Sequence, residues 1–195
     1  MGKTRLEAFS DGVLAVIITI MVLELKVPHS PTLEALLELL PVFLSYVLSF
    51  VFVGIYWANH HHLFHTVDRV SGSILWANNH LLFWLSLIPF TTGWMGENHF
   101  EALPVVAYGV VMLGAGIAYQ ILTMIIIRSQ GADSELARAI GRDWKGKAAA
   151  GLIPVGVLAA FLIHPWVACA VYALVAGMWL IPDRRIERAV EAHQR

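Results

Sequence analysis

Apolar and polar positions alternate in long blocks along this chain rather than residue by residue. Six apolar runs stand out, and their edges predict helical membrane spans at 7–27, 36–62, 72–95, 103–127, 147–163 and 166–182. The breaks fall where helices stop: Pro28 to Pro31, Asp68 to Ser73, Gly96 to Glu101, and Arg128 to Lys147. A very short break at His164-Pro165 predicts a tight hairpin between the last two spans. Leu136 and Ile140 share one side of a short interfacial helix expected between Gly131 and Asp143. No stretch alternates with the period of a strand. The expected architecture is one all-α integral membrane domain covering residues 1–195.

The first run is the odd one. Asp11 stands at its mouth, Glu24 and Lys26 at its far end, and only the twelve residues Gly12 to Leu23 are free of charge. A helix facing lipid needs about 20 mainly apolar residues to cross the hydrocarbon. Within this short centre Val16, Ile20 and Leu23 recur at i, i+4 and i+7, which places them on one stripe with Thr19 beside it. Such a stripe is ordinarily packed core or lipid-facing. Charged rims around a short apolar centre suit a different role, the wall of a narrow pore between two wet vestibules. The run has basic residues ahead of it, as a signal peptide has, but Glu7 and Asp11 interrupt that opening and no small-x-small site follows, so it is read as retained.

Composition agrees with the bilayer. The chain is 58% hydrophobic and 14% charged, against roughly 25% charged residues in a soluble domain, and its mean hydropathy is +0.68. Basic residues set the orientation. With the N-terminus inside, twelve of the thirteen lysines and arginines fall on the cytoplasmic side: Lys3, Arg5, Arg69, Arg128, Arg138, Arg142, Lys145, Lys147, Arg184, Arg185, Arg188 and Arg195. Only Lys26 falls outside. The positive-inside rule therefore predicts an even number of spans with both termini cytoplasmic. The last residues, Asp183 to Arg188, read as a charged anchor at the inner interface. The single cysteine, Cys169, lies among apolar residues and reads as a packing residue.

The motif Arg5-x-x-x-Phe9-Ser10-Asp11 resembles the RxxxFSD signature of the transmembrane protein 175 family, the lysosomal and bacterial potassium channels. The resemblance continues through Tyr56-Trp57-x-x-His60, then through Asn78 into Phe83 and Ser86-Leu87-Ile88-Pro89-Phe90, covering roughly Arg5 to Pro89. It implies a six-helix channel whose first helices line a central pore. With one copy of the motif in the chain, it implies a bacterial homotetramer. Counted from Asp11, the family's main apolar constriction falls on Val16 and its threonine layer, linked to potassium preference, on Thr19, with further apolar layers at Ile20 and Leu23. This is the stripe that spacing had already marked. One departure concerns Val16, where the family usually carries isoleucine or leucine. The chain has no TVGYG-like carbonyl filter, so selectivity is expected to be weaker than in channels that have one.

Asp11 needs partners from other segments, because Arg5 is six residues away and Glu7, on its own face, is a like charge. Trp57, His60 and Asn78 sit at the same membrane side and can supply donors. The resemblance implies that they form a polar network fixing the pore helix, while simple solvation at a helix end is the alternative. Glu24 stands where it can enrich cations at the outer mouth, with Glu97 and Glu101 in the next outer loop. The run Asn59 to His65 (NHHHLFH) raises a metal question. His61 and His65 share a face, and His80 and Asp68 are further candidates, yet no HExxH accompanies them, and adventitious or inhibitory binding is the favoured reading over a resident metal. No metal, cofactor, nucleic-acid partner or enzymatic activity is assigned. The expected function is passive, potassium-preferring cation conduction. The partners are three further copies of the chain, potassium and other monovalent cations, and the lipid bilayer. A proton-coupled or metal-ion transporter and a non-conducting scaffold are the alternatives. A transporter calls for ionisable residues at mid-span, and the six runs have none.

Overall fold

The computed structural model describes residues 2–67, 69–131, 137 and 144–180. Asp68, the short helix expected through Leu136 and Ile140, the basic residues Arg138, Arg142, Arg184, Arg185, Arg188 and Arg195, and the charged anchor after Asp183 lie outside these residues. Every regular element among the described residues is helical: α1 (Lys3–Leu23), α2 (Leu33–Leu37), α3 (Leu40–His65), α4 (Gly72–Ser86), α5 (Ile88–Glu97), α6 (Ala102–Gln130), α7 (Trp144–Leu162) and α8 (Pro165–Leu180).

Four of these, α1, α3, α6 and α7, are long and apolar enough to cross a membrane, and α8 is a shorter apolar helix. At 1.5 Å per residue α1 is about 31 Å long, close to the hydrocarbon thickness. It reaches that length by extending back through Arg5 to Lys3. At its other end it stops at Leu23, before the Val27 expected from hydropathy. The Leu25 N–H turns back to the Val22 carbonyl and the Lys26 N–H to that of Glu24. Val27, preceding Pro28, is disfavoured in the helical region.

Pro41 similarly begins α3, where its missing N–H is harmless. The residues just before it form the separate short helix α2, capped by the Thr32 side chain. The third apolar run is built as two helices joined at Leu87. Pro89 removes a donor, and its ring crowds the carbonyl four residues back. Ser86, Thr91 and Thr92 hydroxyls donate to the Phe83, Leu87 and Ile88 carbonyls around the break, so backbone acceptors there are satisfied within the apolar interior. The break between α7 and α8 is as tight as its sequence suggests: the Ile163 and His164 N–H groups both bond the Ala159 carbonyl.

The helices close around a core that includes Leu6, Ile17, Phe64, Leu81, Met112 and Tyr172. Where they approach most closely, glycine makes room. A Cβ on Gly114 of α6 would collide with the Trp84 ring of α4, and one on Gly109 with the Tyr172 ring of α8. Helix packing in an apolar solvent depends on such close contact.

Candidate functional site

Two faces of α1 behave in opposite ways. Leu6, Ser10, Leu14, Ile17 and Met21 recur every three or four residues and are buried against the rest of the chain. On the other side Phe9 is 54% exposed, Val16 54%, Ile20 43% and Leu23 78%. Arg5, Gly12 and Thr19 are exposed with them. The positions Arg5, Phe9, Gly12, Val16, Thr19 and Leu23 follow a 4-3-4-3-4 spacing. The mean of 3.6 residues is the period of a straight α-helix, so these positions form one exposed stripe along its length. Amphipathic patterning does not distinguish the two faces, because both are apolar through the centre of the helix; only tertiary packing tells them apart.

Thr19 is the one polar side chain among Gly12 to Leu23. Its hydroxyl donates to the Val16 carbonyl at 2.8 Å. The proton is therefore committed to the helix, and the oxygen lone pairs are left on the exposed face as acceptors.

The buried face carries a polar anchor. Ser10 Oγ donates to the Leu6 carbonyl at 2.9 Å and accepts from Asn78 Nδ2 at 3.0 Å. Asn78 Oδ1 lies 2.7 Å from His60 Nε2. An amide oxygen only accepts, so Nε2 of His60 carries the hydrogen. All three residues are buried, and the His60 ring stacks on Phe64 at 4.4 Å between centroids. This anchor joins α1, α3 and α4. Asp11 belongs to a second link, in which Trp57 Nε1 donates to Asp11 Oδ1 at 3.1 Å on the exposed side. Of the three residues considered as partners for Asp11, Trp57 is the one bonded to it; Asn78 bonds Ser10 instead, and His60 bonds Asn78. Ser10 as a hub escaped sequence reasoning. The signal that could have found it was its place in the apolar stripe Leu6, Leu14, Ile17 and Met21, where a lone hydroxyl has to find a partner.

At the opposite end Glu24 is exposed and leans over Gly93 of α5, its Cγ 3.7 Å from where a Gly93 Cβ would stand. Lys26 Nζ donates to Glu97 Oε1 at 3.0 Å, and Glu97 holds the Lys26 ammonium above its usual pKa. Among the histidines, His80 Nε2 accepts from Trp84 Nε1 at 3.1 Å. His61 Nε2 and His65 Nε2 face one another at 3.1 Å. Among the described residues no three or more His, Cys, Asp or Glu side chains converge on a metal position.

Comparison with known proteins places this arrangement. The family model described as endosomal/lysosomal potassium channel TMEM175 matches residues 5–89, the stretch that holds α1, the polar anchor and the break before α5. A potassium channel of Chryseobacterium sp. (strain P1-3) is 53% identical over 191 residues, covering 98% of this chain and 99% of that one. A potassium channel of Streptomyces collinus is 32% identical over 133 residues, covering 64% of this chain and 65% of that one. The crystal structure of a lysosomal potassium-selective channel TMEM175 homolog from Chamaesiphon minutus superposes with a TM-score of 0.79 at 29% identity, covering 92% of this chain and 96% of that one. Identity along nearly the whole length of a relative, together with a shared fold, leaves one assignment: this multi-pass membrane protein is a member of the TMEM175 family.

Proposed function

We propose that the protein is a potassium-preferring cation channel, with passive conduction along an axis lined by α1. The observation that carries this reading is the exposed stripe of Val16, Thr19, Ile20 and Leu23 on a helix whose other face is already buried. The potassium-channel names of its full-length and partial relatives support it. The exposed stripe running along α1 supports self-association through this face, and a homotetramer gives four copies of α1 around one pore. Taking α4 and α5 together as one broken span gives six spans with both termini on the cytoplasmic side of the inner membrane, in keeping with the distribution of lysine and arginine.

In this arrangement Val16, Ile20 and Leu23 form apolar rings roughly 4.5–6 Å apart along the axis. They gate by excluding water. Thr19, its proton held by the Val16 carbonyl, offers lone pairs to a cation that has shed part of its hydration. The ring of hydroxyls favours the ion that is cheaper to dehydrate, and selectivity is modest because few oxygens are offered. Glu24 raises the cation concentration at the outer mouth. The Arg5, Phe9, Ser10 and Asp11 motif, with Trp57, His60 and Asn78, fixes the rotation of α1 so that the stripe faces the axis.

The test is potassium and sodium flux from liposomes holding the purified protein, with Val16→Ala, Val16→Asn and Thr19→Ala beside wild type. Val16→Ala and Val16→Asn are expected to raise flux by widening or wetting the constriction. Thr19→Ala is expected to lower the preference for potassium over sodium. Flux identical to wild type in all three variants would overturn the pore assignment, and absence of flux in a verified tetramer would favour a scaffold.

A further inference from the structure

The geometry points to a second cation site, a two-histidine chelate for a divalent first-row transition metal formed by His61 and His65 at the end of α3 and coupled to α1 through Trp57. The two imidazoles stand one helical turn apart on the exposed side of α3, with Nε2 atoms 3.1 Å apart and ring centroids 4.5 Å apart. Nitrogen ligands to zinc lie about 2.0–2.1 Å from the metal, so two nitrogens 3.1 Å apart subtend roughly 100° at a shared cation. That angle falls between the cis angle of square-planar or octahedral sites and the tetrahedral angle, within reach of nickel, copper or zinc.

Without metal, one Nε2 carries a hydrogen and donates it to the lone pair of the other. Moving that hydrogen to Nδ1 of the same ring leaves both Nε2 lone pairs free for the cation. Both rings are exposed, so water can fill the remaining coordination positions. Lys3 Nζ, 3.4 Å from the His65 carbonyl, brings a positive charge to this end of α3 and opposes the cation.

The site is not isolated from the conduction path. The Trp57 indole stacks on His61, with centroids 6.2 Å apart and planes 25° apart, and the same indole donates to Asp11 of α1. A metal that fixes the His61 ring fixes the surface on which Trp57 rests, and thereby the donor to Asp11. Chelation itself needs only the geometry of α3. Its effect on flux rests on the channel reading, and the two are separable by experiment.

Tag-free protein in detergent is titrated with nickel(II) by calorimetry, as wild type and as His61→Ala, His65→Ala and His62→Ala. One nickel per chain is expected in wild type and in His62→Ala. Affinity is expected to fall about tenfold or more in His61→Ala and in His65→Ala, at least the loss seen when an outer-sphere partner is removed. Unchanged affinity in both variants would overturn the site. In liposomes, nickel is expected to change potassium flux of wild type but not of His61→Ala or His65→Ala. In Trp57→Leu nickel is expected to bind while flux no longer responds. Binding without any effect on wild-type flux would overturn the coupling and leave the chelate standing.

Discussion

Asn78 Nδ2 of α4 donates to Ser10 Oγ of α1 at 3.0 Å, while its Oδ1 accepts from His60 of α3 at 2.7 Å. One amide thus spends both its donor and its acceptor function on two different helices, at a buried position where no water competes. It holds α1 at a defined rotation about its axis. That rotation decides which face of the helix is left for a second chain or for ions.

Removing one member of this chain of bonds should cost more than its size suggests. Ser10→Ala leaves the Asn78 N–H without its acceptor, and Asn78→Ala leaves the His60 N–H without its acceptor and the Ser10 oxygen without its donor, while Ser10 keeps its bond to the Leu6 carbonyl. A buried polar group deprived of its partner costs about 1–3 kcal/mol. Both variants are expected to lower Tm in detergent, Asn78→Ala the more. In a double-mutant cycle the two losses should not add, because they share one bond.

Trp57→Phe is a gentler probe. It keeps an aromatic ring beside His61 but removes the N–H that Asp11 accepts. Trp57 is 51% exposed and outside the core, so Tm should move little. Potassium flux should change, because Asp11 loses the donor that ties it to α3. Equal flux in Trp57→Phe and wild type would show that the indole N–H plays no part in holding the conducting arrangement.

Gly114→Ala tests packing rather than polarity. The added methyl would meet the Trp84 ring. Overpacking of this kind typically costs about 1–3 kcal/mol. The expected result is a clear drop in Tm, partly restored by Trp84→Leu in the same chain. A Gly114→Ala variant as stable as wild type would mean that Trp84 has free space to retreat.

Lys26, just beyond the end of α1, brings a pH dependence of its own. Glu97 raises its folded-state pKa above 10.5, first through their hydrogen bond and then through charge attraction. The stabilising contribution of the pair is therefore fully present below about pH 10.5 and is lost as pH rises through the folded-state value. Between about pH 6 and 9 it should be constant as far as Lys26 is concerned, since the ammonium stays charged across that range. Lys26→Gln removes the positive charge outright and leaves Glu24 and Glu97 uncompensated at the outer mouth. Potassium flux is expected to rise at low ionic strength, and the difference from wild type should fade near 1 M salt, where the Debye length is about 3 Å. A difference that persists at high salt would point to local structure rather than surface charge.

Much of this molecule was legible in the order of its residues. Apolar block length determined an all-helical membrane domain, since a bilayer leaves no other use for such runs when backbone groups must be satisfied internally. Pro28 and Pro165 marked helix boundaries because proline lacks the donor that an interior turn requires, whereas Pro41, inside the span expected at 36–62, begins α3 only in the structure. That Val16, Ile20 and Leu23 share one side of the helix followed from the 3.6-residue period. Residue order also brought Trp57, His60 and Asn78 to the same end of the bundle as Asp11.

What tertiary structure decided is which face and which partner. Both sides of the α1 centre are apolar, so periodicity had two stripes to offer, and only packing against the other helices buried Leu14, Ile17 and Met21 and left Val16, Thr19, Ile20 and Leu23 outside. Polar residues near one another in projection can pair in several ways. Burial selected the pairing, giving the enclosed Ser10 hydroxyl to Asn78 and the exposed Asp11 carboxylate to the indole at the rim. The third apolar run, continuous in hydropathy, broke at Leu87 because Pro89 lacks the N–H and its ring crowds the carbonyl four residues back. Hydropathy measures what solvent a segment tolerates; the rotation of a helix and the partner of a side chain are set by neighbours that lie far away in the chain.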